Sequence, residues 1–304
     1  MIKDFGMHNT ITKFVSSELR VTMKNFIFSF GLFFYHFSFF AQNTPKQNTR
    51  FFKAVTPYYT PDYLKFREKI AHEFSNQKAG KFGMFVPGTV EDIATQQKVI
   101  AFTFDACIGQ TNDYNADLIN FLRKENVPAT LFVSGLWIDR NLSIFKELAA
   151  DSLFELENHG LLHRLCSLDG ETKYGIAATS NANEVIDEME LNARKMERLT
   201  GKRPIFFRSA TTFTNETCTK IASVLGMKIV SYDILSGDAI PFTPATIIRD
   251  NILKNIHNGA IIIMHFNHPK WHEKEALKMV VPILRQQGYK FVTLENHPLR
   301  NKYE

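Results

Sequence analysis

Residues 99–107 read Val-Ile-Ala-Phe-Thr-Phe-Asp-Ala-Cys, an apolar run that ends on a carboxylate, Asp105. A short run of this kind fits a strand covered on both faces. Working outward, the same unit recurs. Apolar runs at 129–133, 153–157, 205–207, 228–231, 260–264 and 290–294 predict further strands. Helical patterns at 116–125, 144–150, 182–199, 215–225, 244–256 and 273–287 fall between them. In the longest, Ile186, Met189, Ala193 and Met196 recur at helical spacing and predict a core-facing stripe. Gly201 and Gly226 stand just past two of these segments, where helices end. Strands alternating with helices imply a parallel sheet, because each crossover returns the chain to the same end. About seven such strands predict an α/β fold with a closed or nearly closed barrel.

The bulk numbers fit one large domain with an N-terminal tail. Of 304 residues, 44% are hydrophobic and 22% charged, which argues against a disordered or collagen-like chain. The net charge of +5 is spread along the sequence, so no basic stripe for nucleic acid stands out. The cysteines are Cys107, Cys166 and Cys218, an odd count with no CxxC pair, so this is no disulfide scaffold.

Near the N-terminus, Met23-Lys24-Asn25 precedes the run FIFSFGLFFYHFSFFA at 26–41, followed by polar Gln42 to Lys46. A cationic start, an apolar stretch and a small residue before a polar break describe a secretory signal. The stretch is short for a membrane span. We therefore expect residues 1–41 to be an N-terminal extension and signal peptide starting at Met23, with an uncleaved membrane anchor as the alternative. No cysteine closes the run, so a lipid anchor is not indicated. The protein is then exported, periplasmic or extracellular, and meets the membrane only through this signal. Residues 42–95 read as a lead-in with one helix at 61–74, and 96–299 as the catalytic domain.

In parallel α/β barrels, function sits just past the C-terminal ends of the strands. Asp105 follows the first predicted strand, and His159 and His163 follow the third. Arg208 follows the fourth, Asp233 and Asp238 lie past the fifth, and His265 follows the sixth. His159 and His163 are spaced i, i+4, which on a helical turn puts two imidazoles on one face, able to share a metal. A divalent ion such as zinc takes two His, a carboxylate and an open water position. Asp105 is the candidate base and His265 the candidate acid that protonates a leaving amine. Arg208 is positioned to keep Asp105 ionised, and Asp238 to keep His265 protonated. The plainer readings are a structural ion pair for Arg208, a turn for Asp233 and a satisfied core histidine for His265. Asn267 is placed to bind substrate or brace its loop. Tyr232 and Trp271 either stack on a sugar or simply pack.

Taken in order, Thr103-Phe104-Asp105-Ala106, His159-Gly160-Leu161-Leu162-His163, Phe207-Arg208-Ser209-Ala210, the Asp233–Asp238 segment and Ile263-Met264-His265 resemble the motifs of the polysaccharide deacetylase family, carbohydrate esterase family four. The resemblance runs over roughly 99–294. It implies a distorted (β/α) barrel of about seven parallel strands and metal-assisted removal of acetyl groups from an acetylated glycan, such as peptidoglycan.

Two departures stand out. The family pattern is Thr-Phe-Asp-Asp, and its second Asp, a metal ligand, is Ala106 here. Asp113 is the candidate replacement ligand, with Asp117 behind it and Cys107 as a third option. The rival reading has Asp113 only capping the helix that follows. The family's Arg-Pro-Pro-aromatic is Arg208-Ser209-Ala210-Thr211, so the groove wall differs and the reaction carries over better than the substrate. Cys107 and Cys166 both fall near the barrel mouth and are candidates for a disulfide in an oxidising compartment, with Cys218 as a core residue. Besides an active deacetylase, a non-catalytic glycan-binding module or a hydrolase of a non-sugar amide stays open, and the sequence does not fix an oligomeric state.

Overall fold

The computed structural model describes residues 51–107 and 114–301. Its parallel sheet is built from β1 (Thr89–Val90), β2 (Val99–Ala106), β3 (Ala129–Val133), β4 (Phe154–Asn158), β5 (Phe206–Phe207), β6 (Lys228–Val230), β7 (Ile234–Leu235), β8 (Ile261–His265) and β9 (Lys290–Phe291). The order across the sheet is β7-β8-β2-β3-β4-β5-β6-β1, with β9 beside the start of β2. The seven strands expected from sequence are all present. The two additional ones, β1 and β7, have two residues each, too short to show a period.

How the sheet curls follows from one connection. β6 lies at one flank and β7 is the edge of the other, yet only residues 231–233 join them. Four residue steps reach at most about 14 Å, so the two flanks must face each other. Ser231 N donates to Val90 O at 2.9 Å on one flank, and Asp233 N donates to Ile261 O at 2.9 Å on the other. Among the described residues no ladder pairs β1 with β7. The barrel is closed by the covalent chain, which is the distortion the resemblance implied.

Side-chain alternation sorts β2 into two layers. Ile100, Phe102, Phe104 and Ala106 join the large outer cluster under the helices, while Val99 and Ala101 join the inner cluster with Phe132, Val230 and Ile261. Asp105 continues the inward row. Burying each such aliphatic or aromatic side chain contributes roughly 1.5–3 kcal/mol.

Around the sheet lie α1 (Pro61–Glu73), α2 (Ala116–Lys124), α3 (Gly135–Arg140), α4 (Leu142–Ala150), α5 (Ala182–Thr200), α6 (Glu216–Val224), α7 (Ala245–Asn255) and α8 (Glu273–Gln286). α1 is capped by Thr60, whose side chain accepts from Tyr63 N. The Tyr59 and Tyr63 hydroxyls each donate to Asp187 on α5 at 2.6 Å, and Arg67 pairs with the same carboxylate at 2.9 Å. The lead-in is thereby fastened to the barrel. No helix among the described residues is long and apolar enough to cross a membrane. The expected signal at 26–41 lies outside the described residues.

Candidate active site

Strand register builds the site. Asp105 pairs with His265 across β2 and β8, Val133 with Asn158 across β3 and β4, and Asn158 with Phe207 across β4 and β5. The strand ends are therefore level, and His159 and Arg208, each one residue further on, sit at the same mouth.

Arg208 is fully buried and ties the interior together. Its Nη1 donates to Asp105 Oδ1 at 2.8 Å and to Thr103 Oγ1 at 2.9 Å. Nη2 donates to Ser231 O at 2.8 Å and Nε to Val230 O at 3.3 Å. The guanidinium lies 4.1 Å from the Phe132 ring centroid. Only a planar fork with several fixed donors meets this set of acceptors. Burial by itself would push the Asp105 carboxyl up, but Arg208, His159 and His265 together hold it below its usual range. It is ionised.

His159 Nδ1 donates to Arg208 O at 2.8 Å, a carbonyl that can only accept. That fixes the tautomer and leaves Nε2 with its lone pair, 3.8 Å from Asp105 Oδ2. The His163 ring meets His159 edge to face, with centroids 4.8 Å apart. Burial lowers His159 to about 3 and His163 to about 4, so both are neutral near neutral pH. The expected helical turn is absent. Gly160 has φ +81° and His163 φ +58°, so the two rings meet through an irregular loop. A side chain at position 160 would overlap the Glu188 carboxyl. That carboxylate, on α5, accepts from Leu162 N and Arg164 N at 3.0 Å each and so pins the loop. Glu188 was missed from sequence because it sits beside the apolar stripe of a helix read as amphipathic. The faint signal was the run of polar residues, Asp187 to Lys195, that this helix buries.

His265 N donates to Asp238 Oδ2 at 2.6 Å, and His265 Nδ1 lies 3.3 Å from each Asp238 oxygen. Ser236 Oγ donates to the same carboxylate at 2.8 Å. Burial would depress His265, but the charge of Asp238 and its hydrogen bond, with Asp105 and Cys107, outweigh it and raise His265 to about 9. The ring carries its proton at neutral pH.

Other expected residues fall differently. Asn267 is buried and its Nδ2 donates to Cys107 O at 2.7 Å, the bracing role. Tyr232 is 8% exposed, with its hydroxyl 3.3 Å from Met84 Sδ and its ring edge-on to Phe85, so it is packed rather than presented to the mouth. Trp271 stacks on His268 with centroids 3.7 Å apart. Asp113 lies outside the described residues, but capping of α2 falls to Asn115, whose side chain accepts from Leu118 N at 3.1 Å. Asp117 is exposed and pairs with Lys274 at 2.7 Å, away from the two imidazoles. Among the described residues, Cys107 included, no three His, Cys, Asp or Glu side chains converge as a metal-binding group. The Cys107–Cys166 disulfide is also corrected. All three cysteines are free, and Cys166 is buried in one apolar cluster with Cys218 on α6.

The sequence family described as polysaccharide deacetylase matches residues 92–230, a span that carries Asp105, His159, His163 and Arg208. A peptidoglycan-N-acetylglucosamine deacetylase of Bacillus cereus is 25% identical over 205 residues, 67% of this chain and 89% of that one. The structure of a family 4 carbohydrate esterase pseudoenzyme from Bacillus anthracis superposes with a TM-score of 0.58 at 23% identity, over 69% of this chain and 68% of that one. A family 4 acetyl xylan esterase from Clostridium thermocellum, solved in complex with a cobalt ion, superposes with a TM-score of 0.54 at 24% identity, over 65% of this chain and 88% of that one. With the motif residues in the family's order and gathered at one barrel mouth, the segment 92–230 is that of a polysaccharide deacetylase.

Proposed function

We propose that this protein is an exported, metal-dependent hydrolase that removes acetyl groups from an N- or O-acetylated glycan, with peptidoglycan the favoured substrate. One observation carries the reading. Asp105 and His265 are register partners on neighbouring strands, and their surroundings hold the first ionised and the second protonated. Two adjacent titratable groups driven to opposite protonation states form a base and acid pair.

The donor chemistry of the mouth fits a divalent metal such as zinc. His159 and His163 are neutral, and His159 turns its unprotonated Nε2 toward Asp105. Asp113 is the proposed third ligand, since Ala106 offers none. The cobalt-bound relative supports the metal. When bound, the ion polarises the acetyl carbonyl and makes water more acidic. The remaining work falls to this chain's own residues. Arg208 occupies Oδ1 of Asp105, so Oδ2 takes the proton of the attacking water. Asp238 occupies Nδ1 of His265, so Nε2 gives its proton to the departing sugar nitrogen or oxygen. Asn267 holds the backbone of Cys107 at the rim.

A second reading, a glycan-binding module without catalysis, draws support from Ala106 and from the pseudoenzyme among the structural relatives. Metal content and acetate release on acetylated peptidoglycan separate the two, measured on the wild type, His159→Ala and Asp113→Ala. The hydrolase reading expects about one ion per chain, as in a mononuclear site, with metal and acetate release both lost in each variant. A wild type that binds no metal and frees no acetate is a binding module.

A further inference from the structure

Glu273 opens α8 and is wholly buried, yet neither of its carboxyl oxygens accepts a hydrogen bond from another residue. An ionised carboxylate in that setting is costly, so the group keeps its proton. Its surroundings lead back to the acid. The Trp271 ring, two residues earlier, lies 6.0 Å from the His265 ring. His272 Nδ1 donates to Thr243 O at 2.8 Å, on the segment that follows Asp238. The charged groups facing Glu273 are Asp238 from the loop after β7, His265 from the end of β8 and Glu275 from its own helix. Those facing His265 are Asp238, Asp105, the Cys107 thiol and, at the same mouth, His163. Burial first, then Asp238, raise Glu273 to about 8, against the opposing pull of its own backbone N–H and of His265. The mechanism above gives this residue no task.

We propose that Glu273 is a positioning residue that sets the alkaline limit of the acid: it holds a proton behind Asp238 at neutral pH and releases it to solvent as the pH rises. The new negative charge then adds to that of Asp238 and strengthens the hold of His265 on its own proton. The acid stays charged further into the alkaline range than Asp238 alone would allow. The inference rests on His265 being the acid of the proposed hydrolase, but its test does not depend on turnover.

The first measurement is the carbon-13 NMR titration of the Glu273 side-chain carboxyl in the full wild-type chain. The expected midpoint is near 8, and a midpoint near the ordinary glutamate value of about 4.3 overturns the proposal. The second is the nitrogen-15 titration of the His265 ring in wild type and Glu273→Gln, an uncharged substitution of the same shape. His265 should titrate about one unit lower in the variant, the scale of one nearby charge. An unchanged His265 midpoint overturns the proposal, and a purely structural role for Glu273 would give that result. If acetate release is present, the alkaline limb of kcat/KM moves down with the ring. If wild type releases none while the ring still shifts, the hydrolase reading has failed and the Glu273 coupling stands.

Discussion

Acidification offers the sharpest test of the two neutral imidazoles. A histidine in an unfolded chain titrates near 6.5, whereas burial lowers His159 to about 3 and His163 to about 4. Below about pH 6.5 the unfolded chain therefore binds protons that the folded chain refuses. The stability these two groups support is fully present above that value and is lost as the pH falls toward their folded values. Each contributes about 1.4 kcal/mol per pH unit across the window. Between about pH 7 and about pH 5 the loss is about 2 kcal/mol for each, or about 4 together, a large share of a typical 5–15 kcal/mol. Buried carboxyls held above their usual range, Glu155, Glu157 and Glu273 among them, act in the opposite sense. The useful quantity is thus a difference. Denaturant unfolding of chelator-treated wild type and of the His159→Asn, His163→Asn double variant is measured at both pH values. Wild type should lose about 4 kcal/mol more than the variant. Equal losses within about 1 kcal/mol would refute the reasoning, because the imidazoles would then titrate alike in folded and unfolded chains. Zinc should restore wild-type stability at the lower pH and leave the variant unchanged.

Arg208→Met leaves Asp105 buried without its partner and should cost about 3–5 kcal/mol in denaturant unfolding, with Arg208→Lys failing to restore acetate release because one ammonium cannot replace the fork. Asp238→Asn removes the charge that holds His265 near 9, so the alkaline limb of kcat/KM should fall toward about 6.5. Gly160→Ala forces a side chain into the Glu188 carboxyl at φ +81° and should lower stability by about 1–3 kcal/mol, read as a drop in Tm together with weaker zinc binding.

The strands legible in the sequence were those with long apolar runs. β2 and β8 place Asp105 and His265, and with β3 their buried positions show as mostly apolar runs, VIAFTF, ATLFV and IIIM. β1 and β7 were not read as strands, so the covalent closure through Ser231 to Asp233 was invisible. The pairs Arg208–Asp105 and Asp238–His265 followed from strand phase, because the residues just past the strands of one parallel sheet gather at one mouth, where Arg208 reaches Asp105 across the interior from a strand that is not its neighbour. The histidine pair came from spacing, but the route was wrong. A helical turn was expected, and the chain instead uses Gly160 and a left-handed His163. Side chains recruited from helices were the hardest to see. Glu188 and Glu273 lie in amphipathic patterns where an acidic residue ordinarily faces water, and only the packing around them shows that they face inward.

Position 106 poses a question that the strand geometry answers. The alanine could be a ligand deleted from an otherwise intact centre, which an aspartate would restore. Alternation places Ala106 in the outer apolar layer under the helices, fully buried beside Val133 in the neighbouring strand, while Asp105 faces inward. An aspartate there would carry its carboxyl into the apolar layer built by Leu118, Trp137 and Met264. Ala106→Asp should therefore lower stability by at least about 3 kcal/mol and leave zinc affinity no higher than in wild type. Thermal melting and calorimetric zinc titration of the two proteins decide the matter. A variant that melts with wild type and binds zinc more tightly would mean that the strand end can turn residue 106 inward. The third donor would then be a vacancy at position 106, and Asp113 would lose its claim.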